Sequence, residues 1–156
     1  LYGDDHLVDA LKAGLFPRAT LITPNTEEAA LLSGIAIHSE PDMYRAGEVL
    51  LGMGCRAVLI KGGHLMQQEM NDILFTSGNA PLLFSAEKVD TPKLTAQGAH
   101  ASYLALGKEL KTAIALAKQY VHEGLTAGAH ATVGHGHGPL NHLFAPLPLL
   151  AKNNTK

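Results

Sequence analysis

Two short motifs place chemically useful side chains directly after segments that have the length and apolar character of buried strands. Asn25 and Glu28 follow residues 19–23, and Lys61 ends residues 56–61. A helix that starts after a strand directs backbone N–H groups outward, and a carboxylate one turn along can order water around Mg²⁺. The first motif is therefore a candidate phosphate and magnesium site, although its spacing alone favours a simple helix cap.

The second motif, Lys61-Gly62-Gly63-His64, has the composition of an anion site. The two glycines permit close approach of the backbone to a ligand, and the lysine supplies a positive charge. Without further context, a tight turn with a solvated lysine is the simpler interpretation. In an open parallel α/β sheet, ligands bind beyond the carboxyl ends of the strands, and both motifs fall at such ends.

A third group of polar residues near the C-terminus is rich in histidine. His135, His137 and His142 lie among glycine and proline, and His130 precedes them. Their spacing matches no standard zinc site and no cysteine accompanies them. A surface loop is therefore favoured over a structural metal site.

Three isolated residues could also take part in chemistry, but each has a simpler structural interpretation. Cys55 lies between a predicted helix end and a predicted strand, so a packed thiol is favoured over a nucleophile. Asp72 and Asp90 flank predicted strands. For both, a turn or edge position is favoured over the role of a general base.

The composition excludes several classes of function. The chain has 156 residues, 12 Lys plus Arg against 14 Asp plus Glu, and a net charge of −2. This balance gives no basic surface for nucleic acid or an anionic membrane. No run approaches the roughly 18 consecutive apolar residues of a membrane span. The single cysteine excludes an internal disulfide and favours a reducing compartment such as the cytoplasm.

Apolar segments of strand length alternate with segments of helical period, which predicts an α/β fold with a mostly parallel sheet covered by helices. Val8 to Ala13 is predicted to be the end of a first helix, which Gly14 and Pro17 stop. The other predicted elements are helices at 26–33, 39–53, 94–106 and 109–123, strands at 19–23 and 56–61, and a hairpin of 72–76 with 82–85. We expect one domain over residues 1–156, with an irregular tail at 143–156.

The order of the motifs is more informative than any one of them. The ordered segments are Thr23-Pro24-Asn25-Thr26-Glu27-Glu28, Val58-Leu59-Ile60-Lys61-Gly62-Gly63-His64, Asn71-Asp72-Ile73-Leu74-Phe75, Val89-Asp90-Thr91-Pro92 and Gly136-His137-Gly138-Pro139-Leu140-Asn141-His142. In this order they resemble the C-terminal part of the bacterial hydroxymethylpyrimidine/phosphomethylpyrimidine kinases, a thiamine-pathway family of the ribokinase-like superfamily. The resemblance covers nearly the whole chain, as far as His142.

The resemblance implies a ribokinase-like three-layer α/β/α sandwich whose N-terminal part is missing from this sequence. It implies two ATP-dependent phosphorylations of a pyrimidine alcohol, first to the monophosphate and then to the diphosphate. Lys61, Gly63, Thr91 and Asn25 match family positions near the nucleotide, and Asn25 with Glu28 matches the motif associated with magnesium. By family analogy the protein forms a homodimer.

One family segment does not occur in the sequence. After Asp90-Thr91-Pro92 the family continues with a loop that contains Gly-Thr-Gly-Cys, but here Lys93 is followed directly by Leu94. The resemblance assigns the catalytic residue to that loop, so we assign none in this chain. An alignment without the loop is favoured over one that matches it to residues 96–99, because the following helix then stays in register. We expect that the complete protein contains this loop and that the sequence lacks it because a loop that is mobile without nucleotide is often not resolved in a crystal. A shortened, inactive paralogue is the alternative.

Three other functions stay open at the level of the sequence. The missing catalytic parts are compatible with a pseudokinase fragment that binds pyrimidine or nucleotide. A pyridoxal-type kinase of the same superfamily is the second alternative, against which the Lys-Gly-Gly-His and Gly-His-Gly-Pro motifs argue by resemblance. A histidine-based metal carrier is the third. The choice between the free pyrimidine and its monophosphate as substrate also stays open.

Overall fold

The computed structural model describes residues 4–62, 69–87 and 97–128. The chain divides into two compact units, Leu1–Lys88 and Val89–Lys156. The organisation as one domain stays a prediction. Within the described ranges, no helix is long and apolar enough to cross a membrane.

The first unit contains a three-stranded sheet in which every neighbouring pair is antiparallel. Its order is β1 (Ala57–Lys61), β2 (Glu69–Thr76) and β3 (Leu82–Glu87). The predicted hairpin of β2 and β3 is confirmed, and its turn contains Gly78 at a φ of 76°. The prediction that β1 is a buried strand is also confirmed, because Leu59 and its neighbour Val58, which lie on opposite faces, are both 0% exposed.

The parallel part of the sheet in the described residues is short. Ile22 N–H donates to the carbonyl of Ala57 at 3.1 Å, and Leu59 N–H donates to the carbonyl of Ile22 at 2.8 Å. Residues 22–25 therefore run parallel to β1 through isolated bridges. The α/β class is confirmed, but the described strands pair differently from the predicted mostly parallel sheet. Only residues 62–68 join β1 to β2, too few for the crossover that parallel neighbours need.

Helix α1 (Asp4–Ala10) continues into a π-helical turn at Leu11–Leu15. Phe16 N–H donates to the carbonyl of Leu11 at 3.0 Å, which closes this wide turn. The predicted helix end after Ala13 is too early, since Gly14 lies inside the turn and helical backbone extends to Phe16, directly before Pro17. The turn places Phe16 in the core with 2% exposure, so burial of its ring offsets the irregular helical geometry.

Helices α2 (Thr26–Ser33) and α3 (Glu40–Gly52) lie where the sequence predicts them. Helix α2 is followed by Gly34 at a φ of 75°, and the Gly34 N–H donates to the carbonyl of Ala30 at 2.9 Å. Ser39 precedes α3, and Asp42 Oδ2 accepts from the Ser39 hydroxyl at 2.7 Å and from the Ser39 N–H at 2.9 Å. The start of α3 is therefore fixed by a side chain of its first turn, and α2 ends at a glycine in the left-handed region.

Helix α3 packs on one face of β1 and β2 and forms the core of the first unit. The buried residues of this contact are Met43, Ala46 and Leu50 from α3, with Val58, Ile60, Ile73 and Phe75 from the strands. At Gly47 the helix approaches the sheet closely, because a Cβ there would lie 2.2 Å from Phe75 Cε2. This contact fixes the position of β1 and therefore the place where β1 ends.

The second unit contains helices α4 (Gln97–Ala105) and α5 (Leu110–Gly128), which pack against each other. The turn between them contains Gly107 at a φ of 76°, and Lys108 N–H donates to the carbonyl of Tyr103 at 3.1 Å. Both predicted helices are confirmed. Helix α5 is about one turn longer than predicted, and the predicted start of α4 at residue 94 lies outside the described residues.

The close approach at Gly47 predicts a specific loss of stability. Replacement Gly47→Ala should lower the free energy of unfolding by about 1–3 kcal/mol, because the new methyl group overlaps the buried ring of Phe75. The control Gly52→Ala faces open space at the end of α3, so it should be neutral or stabilising by roughly 0.5–1 kcal/mol. Urea unfolding followed by circular dichroism measures both. Equal midpoints for the two variants would contradict this packing.

The first turn of α3 predicts a pH dependence. Hydrogen bonds from the Ser39 hydroxyl and the His38 N–H, together with Arg45, hold the pKa of Asp42 well below its usual range. A carboxyl whose pKa is lowered in the folded state stabilises it above the unfolded pKa of about 3.9, and this stabilisation is lost as the pH falls. Asp42→Asn should therefore be less stable than the parent at pH 7, and the difference should narrow below pH 4.

The measurement is the urea midpoint of the parent and of Asp42→Asn between pH 7 and pH 2.5. Glu48→Gln, which neutralises an exposed carboxylate on the same helix, is the matched control and should leave the pH dependence as it is. A constant difference between the parent and Asp42→Asn over this range would contradict the assignment.

Candidate functional site

The two sequence motifs meet at one edge of the sheet of the first unit. Asn25 and Lys61 are partners in a parallel bridge, and the Lys61 N–H donates to the carbonyl of Pro24 at 2.9 Å. The end of residues 22–25 and the end of β1 therefore lie side by side, as their predicted places at the ends of parallel strands require. Asn25 and Lys61 are both half-buried, so the polar edge remains accessible to solvent.

Asn25 and Glu28 form a reciprocal capping box at the start of α2. Asn25 Oδ1 accepts from the Glu28 N–H at 2.8 Å, and Glu28 Oε2 accepts from the Asn25 N–H at 2.8 Å. The helix-cap interpretation that the spacing favours is therefore confirmed. The cap occupies one oxygen of each side chain, so Glu28 Oε1 is not committed to it, and the Glu28 side chain is exposed.

The charges near this helix start are of both signs. Glu27 and Glu28 lie in the first turn of α2, where the helix dipole favours negative charge. The positively charged residue is Lys61, which follows Ile60 in β1, and successive side chains of a strand lie on opposite faces. Because Ile60 belongs to the core under α3, Lys61 lies on the opposite face of the strand. The edge therefore combines one positively charged residue, Lys61, with the start of α2 and its two carboxylates.

Asp72 belongs to this edge, which the sequence analysis missed. The prediction that Asp72 flanks a strand, in a turn or edge position, is wrong, because Asp72 lies inside β2, the central strand of the described sheet, in register with Lys61. Asp72 Oδ1 accepts from the Gly62 N–H at 3.1 Å. The apolar run that indicated the strand begins only at Ile73, whereas main-chain pairing with β1 and β3 extends β2 back to Glu69. The place of Asp72 at this edge follows from its register with Lys61, which the sequence alone does not indicate.

A second polar contact joins the same edge to α3. Asn71 Nδ2 donates to Glu40 Oε2 at 2.9 Å, and Asn71 is 9% exposed. The contact ties β2 to the first turn of α3. Gly62 packs closely against the main chain of Asn71, because a Cβ at Gly62 would lie 2.0 Å from the carbonyl oxygen of Asn71. The backbone that follows Lys61 is therefore held from two directions.

The donor set at the start of α2 fits a hydrated magnesium ion. Mg²⁺ prefers oxygen ligands and usually keeps several waters while it contacts one or two carboxylates and the phosphates of a substrate. Glu28 supplies an exposed carboxylate oxygen outside the capping box, and the amide oxygen of Asn25 retains a second lone pair. In the described residues there is no group of three or more His, Cys, Asp and Glu side chains that would form a metal site of protein ligands alone.

Several predicted site residues lie outside the described residues. They are Gly63, His64, Asp90, Thr91, the Lys93–Leu94 junction, and His130, His135, His137 and His142. Cys55 is described, and it is buried with 5% exposure in the core of the first unit. Burial raises the pKa of the Cys55 thiol, which lowers its reactivity. The prediction of a packed thiol is therefore confirmed.

Two solved small-molecule kinases are similar in structure to this chain. The pyridoxal kinase from Staphylococcus aureus in complex with AMP-PCP superposes with a TM-score of 0.80 at 29% identity, over 90% of this chain and 53% of that chain. A phosphomethylpyrimidine kinase from Clostridium difficile superposes with a TM-score of 0.59 at 40% identity, over 72% of this chain and 46% of that chain. The fold is therefore that of the ribokinase-like kinases.

The sequence comparisons define the family within this class. The phosphomethylpyrimidine kinase family matches residues 2–141. The chain is 40% identical to the thiamine biosynthesis bifunctional protein ThiED of Geobacter sulfurreducens, over 91% of this chain and 29% of that protein. It is 38% identical to the hydroxymethylpyrimidine/phosphomethylpyrimidine kinase of Rhizobium meliloti, over 86% of this chain and 53% of that protein. The chain belongs to the phosphomethylpyrimidine kinase family, and it spans about half the length, or less, of these relatives.

Proposed function

We propose that the chain is the ATP-binding part of a kinase that phosphorylates hydroxymethylpyrimidine and its monophosphate to the diphosphate in thiamine biosynthesis. The observation that carries this proposal is the pairing of Asn25 with Lys61 at the start of α2. Membership of the phosphomethylpyrimidine kinase family supports the reaction, and the AMP-PCP complex of the S. aureus pyridoxal kinase supports ATP as the phosphate donor.

Lys61 is the phosphate-binding cation in this proposal. Catalysis of phosphoryl transfer depends mainly on positioning and on the stabilisation of negative charge, because the protein does little covalent chemistry. The Lys61 side chain extends from a strand end whose backbone is fixed by the Pro24 carbonyl, so the point from which the ammonium group reaches a phosphate is defined before a ligand binds. The N–H groups at the start of α2 add a positive dipole next to it.

Glu28 and Asn25 would hold magnesium at the same edge. The bound ion would neutralise part of the negative charge on the phosphates. Because the capping box already fixes both side chains, their oxygens need no reorganisation to receive a hydrated cation. The helix cap and the metal site are then two uses of the same pair of residues.

Gly63 and Thr91 complete the nucleotide site in this proposal, and a loop that this sequence lacks between Lys93 and Leu94 supplies the catalytic residue. The chain alone is therefore expected to bind nucleotide but to lack kinase activity. A homodimer in the cytoplasm, with a pyrimidine substrate as its small-molecule partner, is part of the same proposal.

Replacement of Lys61 tests the phosphate site. Lys61→Ala should weaken the binding of AMP-PCP with Mg²⁺ by roughly tenfold to hundredfold, because a charge-assisted contact with phosphate is lost. Isothermal titration calorimetry measures the affinity. Lys108→Ala removes an exposed lysine from the turn between α4 and α5 and is the matched control. Equal affinities for the two variants would exclude Lys61 from the site.

Replacement of Glu28 separates the helix cap from the metal site. Glu28→Gln keeps an oxygen that can accept from the Asn25 N–H, so the urea midpoint should stay close to that of the parent. Because the charge is lost, the Mg²⁺ concentration that gives half-maximal AMP-PCP binding should rise roughly tenfold. Glu27→Gln, one residue earlier in the same exposed turn, is the control. The metal role is wrong if the two glutamine variants show the same magnesium dependence.

A pyridoxal kinase is the second candidate, and one observation favours it. The S. aureus pyridoxal kinase superposes with a higher TM-score than the C. difficile phosphomethylpyrimidine kinase, although the latter has the higher sequence identity. A kinase assay of the whole protein with both alcohols in competition should show faster consumption of hydroxymethylpyrimidine. Preferential consumption of pyridoxal would replace the first proposal with the second.

A further inference from the structure

Asp72 carries chemistry that the proposed function does not yet use. Aspartate is uncommon inside strands, and a half-buried carboxylate in the centre of a sheet is costly unless it is hydrogen-bonded. Asp72 nevertheless lies in β2 between partners on both sides, Lys61 of β1 and Phe84 of β3. Its contact with the Gly62 N–H at 3.1 Å offsets that cost.

The contact falls at the residue where β1 ends. Gly62 is the first residue after the strand, and its N–H would otherwise need another acceptor in a buried position. On its other side Gly62 packs against the Asn71 carbonyl oxygen, 2.0 Å from the position that a Cβ would take. The peptide group that joins Lys61 to Gly62 is therefore held between two consecutive residues of β2.

We propose that Asp72 is a positioning residue for phosphate binding: by accepting the Gly62 N–H, it fixes the backbone that presents Lys61 to the phosphates. This inference rests on the proposed function of Lys61. The carboxylate acts on the main chain next to Lys61 and needs no contact with the ligand. The hydrogen bond from the Gly62 N–H also stabilises the negative charge of Asp72, which lies beside a site for anions.

The test combines amide hydrogen exchange by NMR with the affinity for AMP-PCP and Mg²⁺. Asp72→Ala removes the acceptor, so the Gly62 amide should exchange roughly tenfold faster or more, and the affinity should fall roughly tenfold. The Leu59 amide, which donates to the carbonyl of Ile22, should keep its protection because the strand itself remains paired. Faster exchange at both amides would show general loosening and overturn the inference.

The conservative variant supplies the rescue. Asp72→Asn keeps a carbonyl oxygen for the Gly62 N–H, so Gly62 protection and AMP-PCP affinity should both remain within roughly threefold of the parent. Ser85→Ala, an exposed position on β3, is the control. If Asp72→Ala does not fold, Asp72→Asn decides alone, and loss of either Gly62 protection or affinity in it overturns the inference.

The two proposals fail in different ways. Failure of the parent chain to bind AMP-PCP would overturn the function proposed for Lys61, and the ligand part of this inference with it. Normal binding by the parent together with unchanged Gly62 exchange or unchanged affinity in Asp72→Ala would overturn the role of Asp72 alone.

Discussion

The candidate site depends on the hydrogen bond from the Lys61 N–H to the Pro24 carbonyl, which joins the end of β1 to a residue 37 positions earlier in the chain. At 2.9 Å it fixes Lys61 beside Asn25 and therefore beside the first turn of α2. Without it, the cation and the helix N-terminus would each be an ordinary surface feature. The buried contact of α3 with β1 holds this strand in place, so the packing of the core determines where the backbone of Lys61 lies.

The polar residues at this edge are committed to the backbone before a ligand is present. Asn25 and Glu28 cap α2, and Asp72 accepts the N–H that follows Lys61. Such contacts stabilise the fold and also reduce the reorganisation of the site when a ligand binds. This matters because phosphoryl transfer depends mainly on groups that are already in position. Structural and functional interpretations of these residues are therefore compatible, and the helix cap is part of how a phosphate site would be built.

The sequence predicts the elements well because their signals are local. Ser39 and Gly34 mark the start and end of helices, and the apolar run before Lys61 marks β1. The pairing of the strands depends on connections and register, which explains why β1 and β2 pair antiparallel although a mostly parallel sheet was predicted. The π-helical turn before Phe16 depends on the burial of a ring that only the core provides. Asp72 was missed for the same reason, since its role arises from its register with Lys61 across the sheet.

The central claim is that the ends of residues 22–25 and of β1 form one binding site for a triphosphate. Titration of the isotopically labelled chain with Mg²⁺ and AMP-PCP, followed by amide chemical shifts, tests it most directly. The account predicts that the amides of Thr26, Lys61 and Gly62 shift together along one saturation curve. Saturable shifts confined to α4 and α5, or shifts at Thr26 and at Lys61 with different affinities, would contradict it.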